Sequence, residues 1–257
     1  MEDKAFIKFL GTAGTRFVVA KQLRASGGIF LSAEGQNIII DPGPGCIVRC
    51  ASSKPPIDIA NINAIILTHL HIDHSNDVNI LIDGMTNGGL DKHGLLFASK
   101  ECLEGQDAVV LKYLRGFLDK IMALEEKKDY KIGKLKFRAI KLRHTAETYG
   151  LRFDIKGEKV SFIADTGYFP ELIKEYKDSS LLVLNTVRLI PPEKPRGMHL
   201  SIPDVKEIVK GVKPKRAVIT HFGMAMLKAK PWEVAKELTE ELGIEIIAAS
   251  DGMKIEL

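Results

Sequence analysis

Cysteine is scarce in this chain of 257 residues: Cys46, Cys50 and Cys102 are the only three, with neither CxxC spacing nor an even count. That excludes a disulfide framework and a thiolate zinc knuckle, and it fits buried free thiols in a reducing compartment. No stretch of eighteen apolar residues occurs, so a transmembrane helix is not expected. The opening Met1-Glu2-Asp3-Lys4 is acidic and has no apolar core before small residues, so it does not read as a secretory signal, and a cytoplasmic location is expected. Linkers, fixed-period repeats and low-complexity segments are missing as well, which favours one domain spanning 1–257. Charge of one sign is modest. A net +4 suits anionic substrates but falls short of a nucleic-acid stripe, and Lys127-Lys128, Lys131, Lys134 and Lys136 read as a solvated surface.

What is present is an α/β pattern, and a hydrophobic content of 45% is enough for a large core. Lys4 to Leu10 alternates and stops at the turn Gly11-Thr12-Ala13-Gly14, whose spacing matches no phosphate-binding fingerprint. Ile29 to Ser32 and Asn37 to Ile40 form a hairpin about Glu34-Gly35 that ends at Asp41-Pro42-Gly43. Between Gln106 and Glu125 the set Val110, Tyr113, Leu114, Phe117, Ile121 and Leu124 predicts an amphipathic, core-packed helix. Strands are expected at Lys136 to Leu142, Tyr149 to Ile155, Lys159 to Ala164, Leu181 to Leu184 and Ala217 to Thr220, and again at Glu245 to Ala248 and Met253 to Leu257. One helix starts at Ser201-Ile202-Pro203-Asp204, with capping-box spacing, and ends at Gly211. A last helix opens at Pro231 with Trp232, Ala235, Leu238 and Leu242 inward, and closes at Gly243.

The chemistry concentrates after the apolar segment Ala64-Ile65-Ile66-Leu67. His69, His71, Asp73 and His74 place four metal-competent side chains within six residues, too dense for an ordinary turn. Three further candidates, His144, Asp165 and His221, each stand just past a predicted strand. In layered α/β folds that is the edge where loops from several strands meet in one cleft. His93, in Asp91-Lys92-His93-Gly94, fits no motif and reads as a surface loop residue.

The order His69-x-His71-x-Asp73-His74, His144, Asp165, His221 resembles the metallo-β-lactamase superfamily over nearly the whole chain, as do Phe9-Leu10-Gly11-Thr12 and Asp41-Pro42-Gly43. The resemblance implies a four-layer αββα sandwich, with two mixed sheets face to face and helices outside. It also implies two divalent metal ions, held by His69, His71 and His144 on one side and by Asp73, His74 and His221 on the other, with Asp165 bridging. Zn2+ is the first expectation, and Mn2+ or Fe2+ suit the same donors. Two such ions ~3.5 to 4 Å apart can share a hydroxide and clamp the oxygens of an attacked group. Two cations, two carboxylates and a hydroxide leave about one net positive charge, which suits a phosphodiester anion.

His199, in Met198-His199-Leu200-Ser201, resembles the His-x-Ser element of the phosphodiesterase branch, which includes the tRNA 3′-processing ribonucleases Z and the cyclic phosphodiesterase of phosphonate breakdown. The resemblance implies that His199 assists or acts as the general acid, with Asp73 as its partner, since a departing alkoxide needs a proton. The tRNA-processing enzymes usually insert a long arm between the equivalents of His144 and Asp165, where this chain has 20 residues. The spacing is closer to the phosphonate-pathway enzyme, although that enzyme's cysteine-rich zinc site has no counterpart here. A small or cyclic phosphodiester is therefore the expected substrate. Nucleic acid, cleaved by a tRNA-processing nuclease without the arm, is the second reading. Hydrolysis of a lactone, thioester or β-lactam is the third, and it leaves His199 without a task. A non-catalytic scaffold fits poorly with seven competent ligand positions. A homodimer is compatible with the sequence.

Overall fold

The computed structural model describes residues 4–192 and 198–257; the reading of the opening residues Met1 to Asp3 lies outside them. The first half of the chain forms β1 (Phe6–Phe9), β2 (Ile29–Ala33), β3 (Gln36–Ile40), β4 (Ala64–Leu67), β5 (Leu95–Ala98) and β6 (Lys120–Ala123). The second forms β7 (Asp129–Ile132), β8 (Leu135–Lys141), β9 (Tyr149–Ile155), β10 (Glu158–Ile163), β11 (Ser179–Arg188), β12 (Leu200–Ser201), β13 (Arg216–Thr220) and β14 (Glu245–Ala248). The last strand, β15 (Lys254–Glu256), crosses back to the first sheet. Strand order is β15-β1-β2-β3-β4-β5-β6 in one sheet and β14-β13-β11-β10-β9-β8-β7 in the other, with β12 beside β11. Both sheets are mixed: antiparallel from β15 through β3 and from β7 through β10, parallel from β3 to β6 and from β10 to β14.

Strand periodicity explains how two sheets and their helices share one chain. Ile38, Ile40, Ala64, Ile66, Leu181, Val183 and Val218 face the space between the sheets, where they join Phe137, Phe153 and Phe162. Their neighbours Ile39, Ile65, Leu67, Leu182, Leu184 and Ile219 face outward against helices. A strand covered on both faces reads as an unbroken apolar run, as Ala64-Ile65-Ile66-Leu67 does. The helices are α1 (Thr15–Ala20), α2 (Cys46–Ala51), α3 (Ile72–Ser75), α4 (Val78–Met85), α5 (Lys100–Leu103), α6 (Glu171–Glu175), α7 (Ile202–Val212), α8 (Met224–Lys228) and α9 (Pro231–Leu242). Cys46, Val78 and Leu81 pack the helical layer on the first sheet; Leu172, Val205, Ile208 and Leu238 pack that on the second. All three thiols are free and buried. Among the described residues no helix is long and apolar enough to cross a membrane.

Three expectations change. Gln106 to Glu125 is not a helix: Lys112–Phe117 forms a 3-10 turn, and the chain then enters β6, parallel to β5. Val110, Leu114 and Leu118 are buried at helical spacing, but Gly116 weakens a helix there, and β6 pairs an edge of β5 that would otherwise lack a partner. Tyr113 is 67% exposed. The helix from Ser201 runs through Gly211 and stops at Lys213, which takes the left-handed conformation itself. Its start is as expected, with the Asp204 carboxylate accepting from Ser201 N at 2.8 Å and Ser201 Oγ at 2.6 Å. Trp232 does not point inward but is 58% exposed, because the buried stripe of α9 runs through Val234, Ala235 and Leu238.

Candidate metal centre

Every polar candidate singled out in the sequence, His93 excepted, lies at one edge of the sandwich, where strands of both sheets end. The end of β4 delivers Thr68 and His69, and the short helix α3 then turns Asp73 and His74 back toward it. From the second sheet, β8 is followed by His144, β10 by Asp165 and β13 by His221, while His199 immediately precedes β12. His93 sits away on its loop, with Nδ1 2.9 Å from the Asp91 carbonyl oxygen.

The ligand atoms converge in groups. His69 Nε2 lies 3.0 Å from His71 Nδ1, which lies 3.1 Å from His144 Nε2. Nitrogens bound at ~2.1 Å to one tetrahedral ion stand roughly 3.4 Å apart, so this convergence is close to what a shared cation requires. A second group joins Asp73, His74 and His221, with His221 Nε2 3.6 Å from Asp73 Oδ2. Asp165 stands between the two: its Oδ2 is 3.6 Å from His74 Nε2 and 3.9 Å from His144 Nε2, and its Oδ1 is 3.5 Å from His221 Nδ1. His199 Nδ1 approaches the same Oδ2 at 3.4 Å. The expected partner of His199 was Asp73, but Asp73 is turned toward His221, and Asp165 takes that place.

The remote ring nitrogens are held by the protein. His69 Nδ1 meets Thr68 Oγ1 at 3.0 Å, His74 Nδ1 meets Asp41 Oδ2 at 2.9 Å, and His144 Nδ1 meets the Met198 carbonyl oxygen at 2.9 Å. Each contact fixes ring orientation and leaves Nε2 toward the centre, as metal-ligating histidines require. Asp41 was missed as a site residue, although Asp41-Pro42-Gly43 stood out as a motif. Its carboxylate accepts from Thr68 N and Thr68 Oγ1, both at 2.7 Å, and so ties the end of β3 to the ligand loop. Asn185, on β11, was also missed; its Nδ2 donates to Asp165 Oδ1 at 2.9 Å. No sequence signal marks it beyond its place near the end of a buried strand.

Electrostatics divide the site. Burial, reinforced by the neighbouring histidines, holds His69 and His71 below the usual imidazole range. Burial opposes charge on His74 as well, but Asp165, Asp41 and Asp73 outweigh it and raise His74 well above that range. Burial likewise works against the Asp73 and Asp165 carboxylates. Asp73 is nonetheless lowered by His74 and His221, and Asp165 by His221 and His74. Carboxylates that favour a proton on His74 would favour a metal cation in its place. His74 Nε2 and both ring nitrogens of His221 are buried without a hydrogen-bond partner among the described residues, a costly state unless a ligand takes them up. The donor set, five imidazoles and two carboxylates with a sixth imidazole at hand, fits borderline divalent metals. His221 also holds φ of +60°, a left-handed conformation that costs a non-glycine residue about 1–3 kcal/mol and tends to mark functional sites.

The Beta-lactamase superfamily domain pattern matches residues 36–222, which takes in every candidate ligand. An uncharacterized protein of Methanocaldococcus jannaschii is 30% identical, with 98% of this chain and 94% of that protein aligned. A ribonuclease Z of Borreliella burgdorferi is 24% identical over 97% of this chain and 96% of its own. A crystal structure of a diphosphatase from the PhnP family superposes with a TM-score of 0.72 at 20% identity, over 99% of this chain and 98% of that one. With the two facing sheets, their outer helices and the ligand edge already in place, these matches establish that the chain belongs to the β-lactamase superfamily and is a metal-dependent hydrolase of the metallo-β-lactamase fold.

Proposed function

We propose that this hydrolase is a dinuclear phosphodiesterase acting on a small or cyclic phosphodiester. His69, His71 and His144 would hold one divalent ion, Asp73, His74 and His221 the other, and Asp165 would contact both, with Zn2+ the metal that best suits the donors and Mn2+ or Fe2+ compatible. Bound there, the metals supply a hydroxide nucleophile at neutral pH and polarise the phosphoryl oxygens.

The observation that carries the reading is His199. It is an imidazole beyond the six side chains of the two groups, 3.4 Å from the shared carboxylate, with its ring 5.0 Å from that of His144. Burial pushes it down to about 4, although Asp165 pulls the other way. An anionic phosphoryl group against the ring would add to the pull of Asp165 and favour the imidazolium. His199 then donates its proton to the departing alkoxide oxygen. The reacting carbonyl of a lactone or β-lactam, being neutral, supplies no such pull.

Strands β9 and β10 bear on substrate size. They fill the stretch between His144 and Asp165, and β9 joins β10 through Lys156-Gly157 alone, so no arm projects there. The diphosphatase named among the structural matches acts on a phosphate compound, consistent with this choice. A tRNA-processing nuclease is the second reading, favoured by the nearly full-length alignment with ribonuclease Z.

The test is turnover by protein of measured metal content. Bis(p-nitrophenyl) phosphate and a 2′,3′-cyclic nucleotide would be compared with a chromogenic cephalosporin and an acyl lactone, for the wild type and His199→Ala. Phosphodiester hydrolysis that falls by about 10²–10⁴-fold in the variant, with metal content unchanged, is the expected result. Activity confined to the carbon esters, or indifference to His199, overturns the proposal. Cleavage of tRNA precursors that weakens steeply with salt would shift the assignment to the second reading.

A further inference from the structure

His221 is the candidate ligand with the least local support: it stands in a left-handed conformation, and neither ring nitrogen has a hydrogen-bond partner among the described residues. Something must hold its backbone. The loop after β1 does so, because Phe222 N donates to Thr12 O at 2.8 Å and Gly14 N donates to Phe222 O at 3.0 Å, a short parallel bridge between Ala13 and Phe222. The loop lies so close that a Cβ on Gly14 would stand 2.3 Å from the His221 carbonyl oxygen and 2.5 Å from its Nδ1. The loop is gripped in turn by one carboxylate. Asp251 Oδ1 accepts from Thr12 N at 2.9 Å and Thr12 Oγ1 at 2.7 Å, and Asp251 Oδ2 accepts from Ala25 N at 2.8 Å. Asp251 lies in the turn that carries the chain from β14, in the second sheet, to β15, in the first.

We infer that Asp251, acting through Thr12, is the positioning residue that fixes His221 and thereby sets the affinity of the second metal position, an inference that rests on the dinuclear reading above. The chain of contacts is continuous: carboxylate to Thr12, Thr12 carbonyl to Phe222, Phe222 to the histidine beside it. Among the described residues, the hydrogen bonds that Asp251, Thr12 and Phe222 make along it go neither to β4 nor to the loop from His69 to His74. Loosening the tether therefore acts on one half of the centre. Three charge-assisted bonds to a single side chain give it the strength for that task, and the loss of a group that orients a metal ligand typically costs 10- to 100-fold in affinity.

The experiment measures metal stoichiometry and affinity by elemental analysis after equilibration with a competing chelator, alongside amide hydrogen exchange, for the wild type, Asp251→Ala, Thr12→Val and Thr12→Ser. The wild type is expected to bind two equivalents. Asp251→Ala should keep the first and bind the second about 10–100-fold more weakly. Thr12→Val, which removes only the hydroxyl, should show a smaller loss in the same direction, and Thr12→Ser should restore wild-type binding. Amides of Gly14 and Phe222 should exchange faster in Asp251→Ala, with those of Ile65 and Ile66 unchanged. Equal weakening of both metals, or both held at wild-type affinity, overturns the inference. Should Asp251→Ala fail to fold, the pair at Thr12 decides it by the same criteria. A wild type that binds a single equivalent refutes the dinuclear reading instead; exchange at Gly14 and Phe222 then judges the tether, faster exchange supporting it and unchanged exchange refuting it.

Discussion

The two sheets are built to the same plan and yet serve the candidate metal centre in different ways. Each runs antiparallel at one end and parallel at the other, and each presents strand ends to the same edge. The first sheet contributes its candidate ligands from one connection, β4 to α3, where His69, His71, Asp73 and His74 follow within six residues. The second spreads its contribution over β8, β10, β12 and β13, one side chain from each. A contiguous loop can be aimed by local contacts, and Asp41 bound to Thr68 and His74 accomplishes this. A distributed set is aimed only by the register of a whole sheet, so its geometry depends on tertiary structure throughout.

The most damaging way to break this comparison is to remove the residue on which the halves meet. Asp165 is buried, lies near His74, His144, His199 and His221, and is oriented by Asn185. Asp165→Ala should lower kcat/KM by on the order of 10⁴-fold, the scale expected when one member of a jointly acting unit is lost. A loss below tenfold would mean that the halves work independently. A smaller effect is expected from Asp41→Ala. It leaves Thr68 N without its buried acceptor and frees the His74 ring, so metal affinity measured by chelator competition should weaken by about 10–100-fold. The residual metal should remain on the side of His69, His71 and His144. Equal loss on both sides would show that the loop is aimed as one body.

The same contrast explains what could be read from the sequence. The run from His69 to His74 was visible without any structure because its ligands are local, and the strands were visible because alternation and apolar runs survive in one dimension. His144, Asp165 and His221 could be nominated by their places past strands, and His199 by its His-x-Ser element, but only the family resemblance grouped them with the run from His69 to His74. The grouping of Asp73 with His74 and His221 agrees with that expectation, whereas His199, expected beside Asp73, stands beside Asp165. Asn185 carried no signature, and Asp41 only a motif without a role, since orienting a ligand requires only one correctly placed oxygen or amide. The segment Gln106 to Glu125 misled because Val110, Leu114 and Leu118, buried within and beside a 3-10 turn, fall at helical spacing, and the pairing of β6 with β5 is non-local.

Below the site, the sandwich itself should not distinguish the halves. Phe153 is fully buried between the sheets, with its ring 5.2 Å from Phe137 and 5.7 Å from Phe162. Phe153→Ala is expected to cost about 3–5 kcal/mol in denaturant unfolding, in a single transition. Two transitions would show that the sheets unfold separately and would weaken the view that register across the whole fold aims the second half.

The smallest effect is expected on the outer layer of the second sheet, where α9 offers an internal control. Leu238 is buried against that sheet, while Trp232, one and a half turns earlier, has more than half of its surface in solvent. Size alone would rank the tryptophan as the greater loss. Burial ranks them the other way, because stability depends on the apolar area withdrawn from water and on the cavity left behind, not on the bulk of the residue. Leu238→Ala should cost about 2–5 kcal/mol, and Trp232→Ala no more than about 0.5 kcal/mol. Unfolding in urea separates the cases directly. A cost near 3 kcal/mol for Trp232→Ala would place its ring within the packed layer. Helix α9 would then contribute the broader stripe, with Trp232, Ala235, Leu238 and Leu242 inward, that its hydrophobic spacing predicted.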